Sequence, residues 1–187
     1  MSYSSFELVK KWAKCGSGMD EGLIPAVDVE FLWLFEAPEG SYPAHVDKAG
    51  RLKWPAEFEK FLTRFPGRQF FASTLDREKG CLYDMAGWRK VKGNLEDPPD
   101  EELHDAAENT FQTAMTFGER VELDDQGRTM LPVELRRTLD LEGKKVRVWV
   151  RKGAIEIVNH DRWAERDAAI RARASADAAL LRKKKLF

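Results

Sequence analysis

The chain has 187 residues, 43% apolar and 34% charged, the balance of an ordinary soluble globular protein, which excludes a disordered or membrane-embedded composition. A net charge of −1 excludes the overall basic character that announces many nucleic-acid binders, so any such binding has to rest on local basic patches. The length accommodates one medium domain or two small ones.

Residues 1–37 form an N-terminal extension. Ser4 and Glu7 have capping-box spacing, so a short helix with Trp12 on one face is expected, ending near Gly16-Ser17-Gly18. The first residues lack the basic region and apolar core of a secretion signal, and the apolar cluster Phe31 to Phe35 is too short to cross a bilayer, so a cytoplasmic protein is expected. Cys15 and Cys81 are far apart and outside metal or redox spacing, which reads as two reduced, core-type thiols.

Two self-similar segments follow, with their matching residues 77 positions apart. Asp47, Gly50, Arg51 and Pro55 in the first correspond to Asp124, Gly127, Arg128 and Pro132 in the second. Asp accepts backbone N–H groups at the start of a turn, and Gly three residues later adopts the left-handed conformation that closes a bulged hairpin. Pro four residues past the Arg suits the first residue of a helix, predicting short helices over Pro55 to Arg64 and Pro132 to Leu139. Strand pairs are then expected at Gln69 to Leu75 with Cys81 to Met85, and at Val146 to Val150 with Ala154 to Val158. Each unit thus reads strand, turn, strand, helix, strand, turn, strand, over residues 38–92 and 117–165. A unit of this size buries too little core alone, so the two are expected to pack into one β-rich body.

Residues 93–116 make an acidic helical connector, in which Asp100 is placed to cap a helix with an apolar stripe of Leu103, Ala107, Phe111, Ala114 and Met115. From Asp161 the chain is rich in Ala and Arg and ends on Arg182-Lys183-Lys184-Lys185, reading as one long helix with residues 166–187 as its basic end.

These residues resemble the MraZ family, whose chains carry two SpoVT/AbrB-type repeats. Gly40, Tyr42, Val46, Asp47, Gly50, Arg51, Leu52 and Pro55 fit the family's opening pattern. Val121 to Asp124, Gln126-Gly127-Arg128, Leu131-Pro132 and Glu134 to Arg136 fit its second repeat, and Trp88 and Trp163 match at the helix closing each repeat. The resemblance covers about residues 38 to 165. It implies an α+β, β-rich, swapped-hairpin barrel with a pseudo-twofold axis, a short helix in each repeat and flanking helices. It further implies a homo-oligomer, ring-shaped in the family's manner, that binds repeated double-stranded DNA sites in the promoter of the division and cell-wall gene cluster. Such a regulator is cytoplasmic and nucleoid-associated, with no cofactor, no small-molecule substrate, no membrane partner and no catalysis.

Arg51 and Arg128 follow the turns and lead the candidate DNA contacts, because guanidinium reaches phosphate or guanine edges. Lys48, Lys53, Arg120 and Arg136 are the accompanying candidates. For each leading Arg the alternative is an ion pair with the Asp of its own turn or of the other half. The Lys183 to Lys185 cluster is either a phosphate contact or a solubilising tail. His45, His104 and His160 are isolated, and no nucleophile motif, phosphate-binding Gly loop or metal spacing supports an enzyme. The first repeat departs from the family, with Glu57 and Glu59 where basic residues are usual and Ala49 where Lys is. That favours, as the alternative, a ring-forming scaffold without DNA recognition; an antitoxin-like dimer with a toxin partner is a third reading.

Overall fold

The structure is a computed structural model that describes residues 29–186. The expected helix around Trp12, and Cys15, lie outside these residues.

The first described segment is a single helical turn, α1 (Val29–Phe31), that continues as a wider π-type turn over Leu32–Glu36. Its Trp33 packs on Phe61 and Phe65, with ring centres 5.1 and 5.5 Å away, and donates its indole N–H to Asp84 at 2.8 Å. The first repeat then supplies β1 (Tyr42–Val46), β2 (Arg51–Lys53), α2 (Ala56–Leu62), β3 (Gln69–Ser73) and β4 (Gly80–Asp84). Two helices connect the repeats, α3 (Met85–Glu96) and α4 (His104–Phe117). The second repeat repeats the order as β5 (Glu119–Glu122), β6 (Arg128–Met130), α5 (Val133–Thr138), β7 (Lys145–Arg151) and β8 (Ala154–Asn159), and α6 (His160–Lys183) follows.

The eight strands form one antiparallel sheet in the order β5-β3-β4-β8-β7-β1-β2-β6, and a Leu123–Thr129 bridge brings its two ends together into a barrel. The fold is therefore the expected α+β swapped-hairpin barrel. Neither repeat pairs its own first hairpin with its own second: β1 lies on β7 and β5 lies on β3. The pairings obey the pseudo-twofold relation. In the β2–β6 pair, Leu52 faces Thr129 on the axis, flanked by Arg51 with Met130 and by Lys53 with Arg128. At the other axial pair, β4–β8, Cys81 faces Glu156.

Alternation along β2 and β6 explains the core. Leu52 and Thr129 point inward and are fully buried, so Arg51, Lys53, Arg128 and Met130 must point outward. Phe58 and Leu62 of α2 and Leu135 of α5 close the barrel interior with Phe70, Leu82, Ile155 and Ile157. A second cluster lies outside the barrel wall, where α3 and α4 cover β3 and β4. There Phe71 stacks on Trp88 at 4.0 Å with an interplanar angle of 12°. At the related place in the second repeat, Arg147 lies over Trp163 at 4.4 Å instead.

Several details differ from the sequence expectation. Pro55 and Pro132 hold the cap position before each helix rather than its first residue, with ψ of 152° and 140°; their carbonyls accept the N–H of Glu59 and Arg136. α3 runs on through Gly93 to Glu96, because its cap, Asp84, accepts the N–H groups of Ala86 and Gly87 and starts the helix directly from β4. Asp100 precedes only a three-residue 3-10 turn and caps nothing with its side chain. Of the connector's apolar stripe, Ala107 and Ala114 are buried while Leu103 and Met115 remain exposed. Cys81 is buried and unpaired, and burial raises its thiol to about 11, so it is an inert core group.

The axial pair also carries a buried polar tie, the Trp54 indole N–H donating to Thr129 Oγ1 at 2.9 Å. Thr129→Val keeps the volume but orphans that N–H inside the barrel. A loss of about 1–3 kcal/mol is expected, read from urea unfolding midpoints at constant m-value.

Candidate nucleic-acid interface

Both turns are built by the same local chemistry. Asp47 Oδ1 accepts the N–H groups of Ala49 and Arg51, each at 2.9 Å, while its carbonyl accepts the N–H of Gly50 at 3.0 Å. Asp124 Oδ1 accepts from Gln126 and Arg128 at the same 2.9 Å, and its carbonyl accepts from Gly127 at 3.0 Å. Gly50 and Gly127 have φ of +91° and +67°, the left-handed region that the turn requires. The Arg51 N–H does most to hold the Asp47 carboxyl below its ordinary value, against some desolvation. Desolvation pushes Asp124 upward, but the N–H and guanidinium of Arg128 and the N–H of Gln126 together outweigh it, and this carboxyl too is lowered.

The turns are locked to the opposite repeat. Trp54 N–H donates to the Gly127 carbonyl at 3.2 Å, and Leu131 N–H donates to the Gly50 carbonyl at 3.0 Å. Each short helix thereby lies over the other repeat's turn. A Cβ at Gly127 would run into the Glu59 carboxylate, and one at Gly50 into the Arg136 guanidinium.

The outer face of the β2–β6 ribbon carries Arg51, Lys53, Arg128 and Met130. Beside it an open groove of about 540 Å³ is lined in part by Arg51, Arg120, Arg128 and Arg136, together with Glu119, Glu122 and Asp124. Four of the six candidate cations thus converge from separate elements. Lys53 lies one residue along the ribbon from the axis, and Lys48 projects from the first turn. Their engagement differs. Arg128 is tied by Nε to Asp124 Oδ2 at 2.9 Å. Arg136, its side chain only 14% exposed, is held by Glu142 at 2.7 Å and by the Leu131 carbonyl at 2.9 Å. Lys53 binds Glu59 at 2.9 Å and the Gln126 carbonyl. Arg51, Lys48 and Arg120 are exposed and make no side-chain hydrogen bond among the described residues. The own-turn ion pair thus forms at Arg128 and leaves Arg51 with only the through-space attraction of Asp47.

Residues that the sequence pattern did not single out also reach this face: Met130, 47% exposed, and Val133, 39% exposed. The strict alternation of Arg128-Thr129-Met130 was the available signal. The basic cluster Lys183 to Lys185 sits at the far end of α6, a helix with no buried residue. No helix among the described residues is long and apolar enough to cross a membrane.

The chain is similar along most of its length to proteins named transcriptional regulator MraZ. The protein from Acidobacterium capsulatum is 33% identical over 122 residues, which is 65% of this chain and 82% of that one. The protein from Deinococcus radiodurans is 32% identical over 138 residues, 72% of this chain and 90% of that one. The protein from Koribacter versatilis is 28% identical over 106 residues, 56% and 71% of the two chains. No family model matches the chain.

The lowered carboxyls make the two turns acid-sensitive. Because Asp47 and Asp124 ionise more readily when folded, the stability that they contribute is fully present above the ordinary value of 3.8. It is lost as the pH falls below that value through the folded ones. The double variant Asp47→Asn with Asp124→Asn is expected to have a lower urea midpoint than the unaltered protein near neutral pH and a shallower fall with acid below about pH 4, so that the two converge at low pH.

Proposed function

Because this chain belongs to the MraZ family of transcriptional regulators, we propose that it binds double-stranded DNA through the β2–β6 ribbon and its turns and so regulates transcription. The observation that carries the reading is the convergence of Arg51, Arg120, Arg128 and Arg136 on one open groove beside an outward-facing antiparallel ribbon. A two-stranded ribbon is one of the few elements that fit the major groove, and a row of guanidinium groups supplies the charge and donors that phosphates and guanine edges accept. Gly50 and Gly127 let Arg136 and Glu59 of the opposite repeat lie directly on the turns.

The finer reading follows the family resemblance. The targets are repeated sites in the promoter of the division and cell-wall gene cluster, the working form is a homo-oligomer, ring-shaped as in the family, and the protein acts on the nucleoid in the cytoplasm. Several weak DNA-facing ribbons in one oligomer, set against tandem sites, gain affinity through effective concentration. That suits a groove whose cations are partly offset by carboxylates. The scaffold reading is favoured by one observation, the Glu59 carboxylate beside the ribbon; it expects an intact oligomer that ignores DNA.

Binding of the full chain to its own upstream region, followed by fluorescence anisotropy across a salt series, separates the two. A log K that falls steeply and linearly with log salt is expected. Changing Arg51 and Arg128 together to Ala is expected to weaken binding by at least about tenfold, as the loss of charged contacts implies, with oligomer size unchanged. Salt-independent or absent binding by an intact oligomer would leave the scaffold.

A further inference from the structure

The two turns are chemically alike at their Asp, Gly and Arg, but the structure surrounds them with different charge. The first turn carries Lys48 where the second has Asp125. Hairpin exchange does the rest, because it seats α5 over the first turn and α2 over the second. The residues that lie on the turn glycines occupy equivalent places in the two repeats, and they are Arg136 over Gly50 and Glu59 over Gly127. Around the first turn there are therefore three cations, Lys48, Arg51 and Arg136, with one carboxylate, Asp47. Around the second there are two cations, Arg128 and Lys53, the latter on the Gln126 carbonyl, with three carboxylates, Asp124, Asp125 and Glu59.

Neighbouring groups soften this contrast without reversing it. Glu142 holds Arg136, while Lys53 binds Glu59 and Arg68 binds Asp125 at 3.0 Å. The state of the two leading arginines points the same way. Arg128 is already bound to Asp124, whereas Arg51 makes no side-chain hydrogen bond among the described residues. The groove takes in residues of both turns, Ala49 and Arg51 of the first and Asp124 and Arg128 of the second, but of the two residues that cover the turn glycines it takes in Arg136 and not Glu59.

We infer that each chain engages the DNA phosphate backbone chiefly through the first turn, as a composite half-site made of the first repeat's hairpin and the second repeat's helix. The second turn is closed to phosphate by Asp125 and Glu59. This rests on the DNA-binding reading given above, and it turns the acidic residues of the first repeat to a different account. Glu59 belongs to the first repeat in sequence, but the fold delivers its charge to the second turn. The pseudo-symmetric barrel then meets a duplex asymmetrically, which gives each copy a polarity on the DNA.

The test measures binding of the full chain to a double-stranded fragment of its own upstream region over a salt series, for single variants whose thermal unfolding matches the unaltered protein. Arg51→Ala is expected to weaken binding about tenfold and to lower the slope of log K against log salt by about one, while Arg128→Ala stays within about threefold. Glu59→Gln is expected to tighten binding several-fold. Exchanging the turn charges, Lys48→Asp together with Asp125→Lys, is expected to transfer the larger loss to Arg128→Ala. Equal losses for the two single arginine variants, or no gain from Glu59→Gln, would overturn the asymmetry while leaving DNA binding standing. No binding at all by the unaltered chain would overturn the DNA reading, and this inference with it.

Discussion

The pairing of β2 with β6 around Leu52 and Thr129 is the constraint on which the rest of the molecule depends. Each strand is only three residues long, too short to be stable as an isolated hairpin arm. It is held because the two related strands share one inward layer, with Trp54 tied to Thr129 across it, and because each hairpin's outer strand is recruited by the other repeat. Once the first hairpins exchange, the second hairpins must meet through β4 and β8 to complete the sheet. Two half-cores, each too small to stand alone, become one.

The same exchange builds the candidate interface. Inward burial of Leu52 and Thr129 drives Arg51, Lys53, Arg128 and Met130 to the outside, so the hydrophobic pattern of the ribbon creates its charged face without any separate device. The turns need Asp and Gly for local reasons, and satisfying their N–H groups with a carboxylate leaves a negative charge beside each leading arginine. How far each arginine is consumed by that carboxylate separates the two otherwise matched turns. Arg128 closes on Asp124 through Nε, and Arg51 does not close on Asp47.

The repeats diverge outside the ribbon as well. The position that holds Phe71 in the first repeat holds Arg147 in the second, so one barrel wall is covered by α3 and α4 through a stacked Trp88, and the other meets α6 only near its start, with Trp163 on a guanidinium. The caps of these helices diverge in parallel. Asp84 accepts from its own helix and from Trp33, whereas Asn159 accepts from Asp161 and donates to the Asp140 carbonyl. An apolar partner at one site and a charged one at the other decide which helix packs and which projects.

The repeat unit, its turns, its helices and the inward residues were legible from the sequence, because Asp, Gly and Pro act on the backbone within a few residues and strand alternation has a fixed period. The exchange of hairpins came to the sequence reading only as what the family resemblance implied; the spacing of residues by itself is equally compatible with each repeat closing on itself. The candidate cations were also legible as single residues. Which of them are already bound, and by which partners, was not. Lys53 meets Gln126, and Arg136 and Glu59 meet the turns of opposite repeats, over separations of more than 60 residues. Local chemistry therefore determined what each segment is, and only the closed barrel decided which charge faces which turn, because electrostatic partners are set by distance in space and those distances exist only after the two repeats have traded strands.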